Sequence, residues 1–379
     1  MKKVCVVTGS RAEYGLLRPI MQAIQESKQL QLKLIVTTMH LAPSFGETYR
    51  QIEADGFVID ERIENLLCSD SDTAVVKASG LAMILLSDAF KRVTPDILLL
   101  LGDRYETFAA ATAAMLMRIP IAHIHGGERT EGAVDEQIRH ALTKLAFLHF
   151  ASTEEYRDRI IQMGESPERV VYSGAPGVDN VLQADFRSCE VLSRQLGWDV
   201  CKAYSLVIYH PETYAAESAD EEIDRLLQEL HRQQMRYIFV YANADHGGQT
   251  INRKVEQFVR EQEQRCIAVK NLSMDDYLSL LKYTDMLIGN SSSGIIEAAS
   301  LHVPVVNIGD RQKGRIRAEN VIDCTIETLA KAIGLARSES FVRRCKTVRN
   351  PYGDGHATER IVRALEQIRP SAQKQFHDS

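Results

Sequence analysis

The chain has no basic excess. Its 45 Lys and Arg stand against 51 Asp and Glu, a formal net charge of −6 over 379 residues with a pI near 6.0. A protein whose main partner is nucleic acid needs cations to meet phosphates, so that class is set aside, while a local basic pocket stays open. No run approaches the roughly 18 consecutive apolar residues of a membrane helix. The start, Met1-Lys-Lys-Val-Cys-Val-Val-Thr-Gly9, is too short an apolar run for a signal peptide. Seven cysteines are scattered without a Cys-x-x-Cys, and their number is odd. Neither a disulfide framework nor a zinc site is indicated, and the expectation is a reduced, cytoplasmic protein. Also missing are the G-x-G-x-x-G of a dinucleotide fold and the G-x-x-x-x-G-K-[ST] of a P-loop, which counts against NAD and ATP as conventional ligands.

What is present is an ordinary globular composition, 45% apolar and 25% charged, long enough for about two or three domains. Val4–Thr8, Leu32–Thr38, Ile97–Gly102, Ile119–Ile124 and Leu148–Ser152 are unbroken apolar runs, the pattern of strands buried on both faces of a parallel sheet. Helical patterns lie between them at Leu16–Ser27, Ala74–Arg92, Tyr105–Met117 and Asp135–Ala146. The second half repeats the plan. Strands are expected at Tyr204–Tyr209, Tyr237–Tyr241, Ala268–Val269, Met286–Ile288 and Val303–Ile308, and helices at Ser218–Gln234, Asn252–Gln264, Ser273–Tyr283 and Gly294–Leu301. Gly177–Tyr204, polar and interrupted, reads as a linker, and the tail beyond the helical run Thr358–Ile368 as a disordered end. The expected architecture is α/β, with two Rossmann-like doubly wound domains facing each other across a cleft. Residues 1–180, joined by the C-terminal stretch 357–379, form the first domain, and 181–356 the second.

In open α/β sheets ligands bind beyond the carboxyl ends of the strands. Here those segments are rich in glycine with charged or hydroxyl residues. Gly9-Ser-Arg-Ala-Glu-Tyr-Gly15 places Arg11 at a helix mouth, a position for an anion or simply a solvated cation. Gly289-Asn-Ser-Ser-Ser-Gly294 offers small residues and hydroxyls to a phosphate, and Glu297 is one turn into the helix that follows. Asp310-Arg-Gln-Lys-Gly-Arg-Ile-Arg317 puts four cations in seven residues, with Arg311 the first choice for a diphosphate and Arg315 and Arg317 open to a structural role. Asp103, at the end of an apolar strand, is either paired with Arg104 or kept for acid–base work. His123 and His125 alternate and so point to one face; metal ligation with Glu128 or Asp135 lacks a third ligand at a characteristic spacing. Asp135 and Arg139 stand four apart on a helix, where the plain reading is a surface ion pair worth a few tenths of a kcal/mol. His210, before Pro211, ends the first strand of the second half as a phosphate or acid–base candidate.

Taken together, these segments resemble the hydrolysing UDP-N-acetylglucosamine 2-epimerases of sialic-acid biosynthesis. The resemblance runs along almost the whole chain. It is carried most specifically by Gly102-Asp-Arg, His123-Ile-His-Gly-Gly-Glu, Val134-Asp-Glu-Gln-Ile-Arg-His-Ala-Leu-Thr-Lys144, His210-Pro-Glu-Thr and Gly289-Asn-Ser-Ser-Ser-Gly. It implies the two-domain fold of B-type glycosyltransferases, with UDP held mainly by the second domain and catalysis supplied mainly by the first. By position, Arg11, Arg104, Arg139, His210, Asn243, Ser291, Ser292, Glu297 and Arg311 would contact the UDP-sugar. Glu297 would take the ribose, and Ser291, Ser292 and Arg311 the diphosphate. The resemblance implies that Asp103, His125, Glu128, Asp135 and His210 would form the catalytic set. The position of His125 is often glutamate in related enzymes, so either His125 or Glu128 does that carboxylate's work. Gly15 replaces a nucleotide-contacting side chain of some relatives. Gln249 stands where the animal enzyme has a lysine involved in feedback inhibition, so such inhibition is not expected. Neither a cofactor nor a metal is expected, nor a nucleic-acid or membrane partner, and the chain is expected to form a homodimer or a pair of dimers.

The implied chemistry suits these residues. The C2 proton of the sugar is not appreciably acidic, but departure of UDP from C1 creates oxocarbenium character that makes it removable. Anti-elimination to 2-acetamidoglucal, then hydration at C1 with return of a proton to C2 on the other face, gives N-acetylmannosamine. Two acid–base groups are needed, and cations must stabilise the departing diphosphate. A UDP-2,4-diacetamido-2,4,6-trideoxyglucose substrate is the alternative within the family. A glycosyltransferase or a nucleotide-sugar sensor of the same fold is the alternative outside it.

Overall fold

The computed structural model describes residues 1–67, 69, 71–212, 219–242, 247–270 and 272–378. The chain divides into two units. The first is Met1–Glu128, Asp135–Asp179 and Tyr352–Ser379; the second is Arg129–Val134 and Asn180–Pro351.

The first unit is built on seven parallel strands: β1 (Lys2–Thr8), β2 (Leu30–Thr37), β3 (Glu61–Ile63), β4 (Ile97–Leu101), β5 (Ile121–Ile124), β6 (Leu148–Ala151) and β7 (Val170–Tyr172). Their order is β3-β2-β1-β4-β5-β6-β7, so strand order reverses between β1 and β4. The unbroken apolar runs are explained by alternation into two cores. Val4 and Val6 face Leu17, Ile20, Ile361 and Leu365 on one side, while Cys5 and Val7 face Leu86, Phe90, Ala110 and Ala114 on the other. Each fully buried aliphatic side chain contributes roughly 1.5–3 kcal/mol.

The second unit has six parallel strands: β8 (Ser205–Ile208), β9 (Tyr237–Val240), β10 (Cys266–Val269), β11 (Met286–Gly289), β12 (Val305–Ile308) and β13 (Val321–Cys324). Their order is β10-β9-β8-β11-β12-β13, with the reversal between β8 and β11. Both sheets are open and doubly wound, as the strand pattern implies.

The structure differs from expectation in several places. Three strands missing from the sequence reading, β3, β7 and β13, are all sheet edges. Each has one neighbour and only three or four residues, too short a run for the pattern to mark, although the edge strand β10 is the one expected around Ala268–Val269. The supposed linker contains two helices, Pro176–Gln183 and Cys189–Leu196, and sends Leu192, Val200 and Tyr204 into a core with Leu206 and Leu280. The helix expected over Gly294–Leu301 is a single turn, Ser293–Ile296, continued by turns. The polar C-terminal end is docked: Lys374 Nζ donates to the Ala146 carbonyl and to Glu165, both at 2.8 Å.

Cys189 and Cys201 form a disulfide, so the fully reduced reading does not hold for this pair. Among the described residues the free cysteines Cys5, Cys266, Cys324 and Cys345 all have thiol pKa values raised by burial. The helix Asp72–Val93 is long and apolar enough to cross a membrane by length and composition alone. Its Ala78, Ala82, Leu86, Ala89 and Phe90 stripe is buried. Ser71 caps its start, accepting the Ala74 amide.

Candidate active site

In the first unit the candidate groups collect where β1, β4, β5 and β6 end. Gly102, the residue after β4, adopts φ +79, a left-handed turn that glycine enters without strain. Its N–H donates to Ile124 O (3.1 Å), and its carbonyl accepts from His123 Nε2 (2.7 Å). His123 is fully buried, and burial pushes its imidazole down to about 4. It is a neutral donor that ties two strand ends together. The alternation expected to aim His123 and His125 at one face is broken, because β5 stops at Ile124 and His125 turns to φ +71.

Asp103 is held by Arg139, whose side chain has no exposure and whose Nη2 pairs with Asp103 Oδ2. Arg139 Nη1 also donates to Glu136 Oε2 (3.0 Å) and to the Glu128 carbonyl (3.2 Å). Arg139, read from the spacing as part of a surface ion pair, is instead a buried cation that organises three segments. Arg104 Nε donates to Glu106 Oε1 at 2.5 Å. Asp135 opens the helix Asp135–Leu145 that carries Arg139.

His125 Nδ1 meets Glu128 Oε1 at 2.6 Å, and the Ser152 hydroxyl donates to the same oxygen at 2.8 Å. All three residues are buried. The carboxylate engages Nδ1 and so orients the imidazole, with Nε2 on the far side of the ring from Glu128.

Arg11 starts the helix Arg11–Glu26, and burial lowers its guanidinium to about 10. A cation there has the wrong sign for the helix dipole, and a bound anion would offset both costs. Two residues on, Glu13 Oε2 accepts the Gly9 amide (2.7 Å) and the Thr8 hydroxyl (3.2 Å). Burial, with Glu106 adding to it, pushes the Glu13 carboxyl up to about 8. The pair Glu13 and Glu106 escaped the sequence reading. The Ser-x-x-Glu spacing of Ser10 and Glu13 signals a capping box, but here the carboxylate reaches Gly9 rather than the cap residue.

In the second unit, Gly289 at φ +135 ends β11 so close to β8 that a Cβ there would lie 1.9 Å from Ile208 O. Next, the buried Asn290 ties the two strand ends. Its Oδ1 accepts the His210 amide (2.7 Å), and its Nδ2 donates to the His210 carbonyl (2.8 Å). Arg311 Nη1 and Gln312 Nε2 both donate to Asn290 O, at 3.1 and 2.8 Å. Glu212 Oε1 accepts the amides of Asp310 (2.9 Å) and Arg311 (3.1 Å), which fixes the turn carrying Arg311. His210, Ser291 and Arg311 are thus brought to one corner, with Asn290 and Glu212 as the supports that the motif reading passed over. Ser291 Oγ accepts the Ser293 amide (3.3 Å), and Ser293 Oγ accepts from Tyr277 (2.5 Å). Ser292 makes no side-chain cap bond. Glu297 is buried at the end of the short turn. Arg317 is structural: it pairs with Asp323 (3.0 Å) and donates to Gln312 O. Asn243 lies outside the described residues.

Arg129–Val134 belongs to the second unit. Glu131 N donates to Lys313 O (3.0 Å), and a Cβ on Gly132 would fall 2.6 Å from Asp310 O. Among the described residues the three-membered grouping of potential metal ligands is Cys189, Glu190 and Cys201, and the two cysteines are already bonded to each other.

Comparison with known proteins follows the same lines. A family model described as UDP-N-acetylglucosamine 2-epimerase matches residues 22–366. The chain is 39% identical to polysialic acid biosynthesis protein P7 of Escherichia coli, over all of this chain and 97% of that one. It is 38% identical to a hydrolysing UDP-N,N'-diacetylbacillosamine 2-epimerase of Legionella pneumophila, over 97% and 96% of the two chains. The fold is shared with the UDP complex of MnaA from S. aureus, at a TM-score of 0.78 and 19% identity over the whole of both chains.

Proposed function

The chain belongs to the UDP-N-acetylglucosamine 2-epimerase family, and on that premise we propose that it is a hydrolysing 2-epimerase that converts UDP-N-acetylglucosamine and water to N-acetylmannosamine and UDP. The observation that carries this reading is the pair of acid–base centres at the ends of adjacent strands β4 and β5. They are Asp103 on its buried Arg139 and His125 on its buried Glu128.

In the proposed reaction His125, oriented by Glu128, takes the proton from C2 while the C1–O bond to UDP breaks, leaving 2-acetamidoglucal. Water then adds at C1 and gives up a proton to the Asp103 carboxylate, with Asp135 in the same set, which passes a proton to C2 on the opposite face, while His125 releases its proton to solvent. Two such groups are each worth roughly 10²–10⁴-fold. In the second unit Arg311, Ser291, Ser292 and His210 hold the diphosphate and Glu297 the ribose; Asn243 is assigned to the nucleotide as well. Arg11 and Arg104 add positive charge for the leaving group, the kind of preorganised electrostatics that lowers such barriers most.

A second reading has its own support. The E. coli relative is named for polysialic acid and the Legionella relative for a diacetylated sugar, yet they match this chain almost equally. The alternative substrate is therefore UDP-2,4-diacetamido-2,4,6-trideoxyglucose. Proton NMR of the protein with each sugar in D2O decides. Free N-acetylmannosamine deuterated at C2 with UDP released supports the first reading, and faster turnover of the diacetamido sugar the second. UDP binding without turnover of either would leave a transferase or sensor.

The protein is further proposed to be a cytoplasmic homodimer or pair of dimers. Val76 and Ile84 on the helix Asp72–Val93 and Leu116 on Tyr105–Leu116 are 65–70% exposed, apolar surface of the kind a partner copy covers. Light scattering of the purified protein tests this.

A further inference from the structure

We infer that Ser152 is a positioning residue for the reaction: its hydroxyl, presented from the end of β6, fixes the Glu128 carboxylate that in turn fixes His125. The inference rests on the reading above that His125 and Glu128 move the C2 proton.

The argument starts from the backbone. β5 and β6 pair in parallel, with Ile124 opposite Phe150. One residue past β5, His125 N still donates to Phe150 O (3.1 Å), and then the chain turns to φ +71. A non-glycine residue held there costs on the order of 1 kcal/mol and persists only where its surroundings over-determine it. Gly126 and Gly127 complete the reversal. Gly127 sits at φ +76, where a Cβ would fall 2.4 Å from Tyr156 O, and Arg159 Nη1 donates to its carbonyl (2.5 Å). The turn thereby brings Glu128 back beneath His125, three residues on.

Glu128 has no exposure, and a buried carboxylate is costly unless hydrogen bonds hold it. Its Oε1 has two lone pairs, taken by His125 Nδ1 at 2.6 Å and Ser152 Oγ at 2.8 Å. The terminal torsion of a glutamate is broad, and contacts from two different elements, His125 in the turn after β5 and Ser152 at the end of β6, narrow it and with it the orientation of the imidazole. Capping does not explain Ser152, because Thr153 accepts the Tyr156 amide at the start of the next helix. The Ser152 hydroxyl is buried with its hydrogen bond directed to Glu128.

The test is steady-state kinetics on the full chain, comparing wild type with Ser152→Ala and Ser152→Thr, using protiated and 2-deuterated substrate. For Ser152→Ala we expect kcat to fall by about 10- to 100-fold, the usual loss when a supporting partner of a functional group is removed. KM and UDP affinity should stay within about twofold, and the deuterium effect on kcat should rise because proton transfer at C2 becomes more rate-limiting. Ser152→Thr, which keeps the hydroxyl, should restore most of kcat. In a His125→Ala background, Ser152→Ala should cost nothing further. Should Ser152→Ala fail to fold, Ser152→Cys, nearly isosteric with a weak donor, is expected to show the same loss. An unimpaired Ser152→Ala, or a loss with an unchanged isotope effect and no rescue by threonine, overturns the inference alone. A wild-type protein that turns over neither sugar overturns the epimerase reading instead.

Discussion

Arg139 and Asp103 are 36 residues apart in sequence, yet they form an ion pair in which the arginine has no solvent exposure and the aspartate keeps 19%. The same guanidinium holds the Glu128 backbone and Glu136. One buried cation therefore sets the position of Asp103, proposed above as an acid–base group, and of the turn that carries His125 and Glu128.

Removing that cation leaves Asp103 and Glu136 without it, and breaking a buried pair costs about 3–5 kcal/mol. Arg139→Ala should lower unfolding stability by an amount of that order and abolish turnover. Arg139→Lys should recover stability in part but not turnover, because one ammonium cannot reproduce the planar fork that reaches three acceptors. Urea unfolding and kcat measured on both variants check the split.

Asp103→Asn keeps the shape but not the charge. Turnover should fall by roughly 10²–10⁴-fold, with UDP affinity by calorimetry unchanged. Equal losses in both would mark Asp103 as structural.

Glu13 makes stability depend on pH in an unusual sense. Burial and the neighbouring Glu106 raise its carboxyl in the folded state to about 8, against about 4.3 for an unperturbed glutamate. Between those values the folded protein holds a proton that the unfolded chain has lost, so stability contributed by this group is full below about 4.3 and declines as pH rises towards 8. The groups around it are Thr8, Gly9, Glu106 and Arg104. Glu13→Gln should therefore raise the melting temperature relative to wild type by a margin that grows between pH 5 and 8, and the margin should flatten above that. A margin independent of pH would show that Glu13 is already charged.

Gly289 tests the second unit. Alanine there would bring a Cβ against the Ile208 carbonyl at a φ of +135. Strain at such a position belongs to the mechanisms of large effects, so Gly289→Ala should cost at least about 2 kcal/mol in an unfolding titration. Gly334→Ala, where nothing lies within 4 Å, is the control and should be neutral or stabilising.

The disulfide gives a chemical count. Denatured without reductant, the protein should gain two reactive thiols when reductant is added, those of Cys189 and Cys201. Reduction of a loop of this size should cost about 3 kcal/mol. Seven thiols at the outset would restore the fully reduced expectation.

The interior strands and the longer helices were legible because burial on both faces leaves no freedom of residue type: Ile97–Leu101 can only be a central strand. Glycine with charged or hydroxyl residues after those strands marked where candidate chemistry lies, and the ordered motifs marked the family. The edge strands β3, β7 and β13, the Cys189–Leu196 helix and the pairing of Cys189 with Cys201 were not legible, since a half-solvated or short element leaves composition almost unconstrained. Partnerships lay further out of reach. His125 leaves its strand for a left-handed turn, Ser152 is drawn to Glu128 rather than to a helix cap, and Arg139 turns inward to Asp103. Residue type and local spacing determine which groups exist and which strand end presents them. Which carboxylate meets which donor depends on distances between segments far apart in the chain, and only the packed sheet, with its fixed register between β4, β5 and β6, decides that.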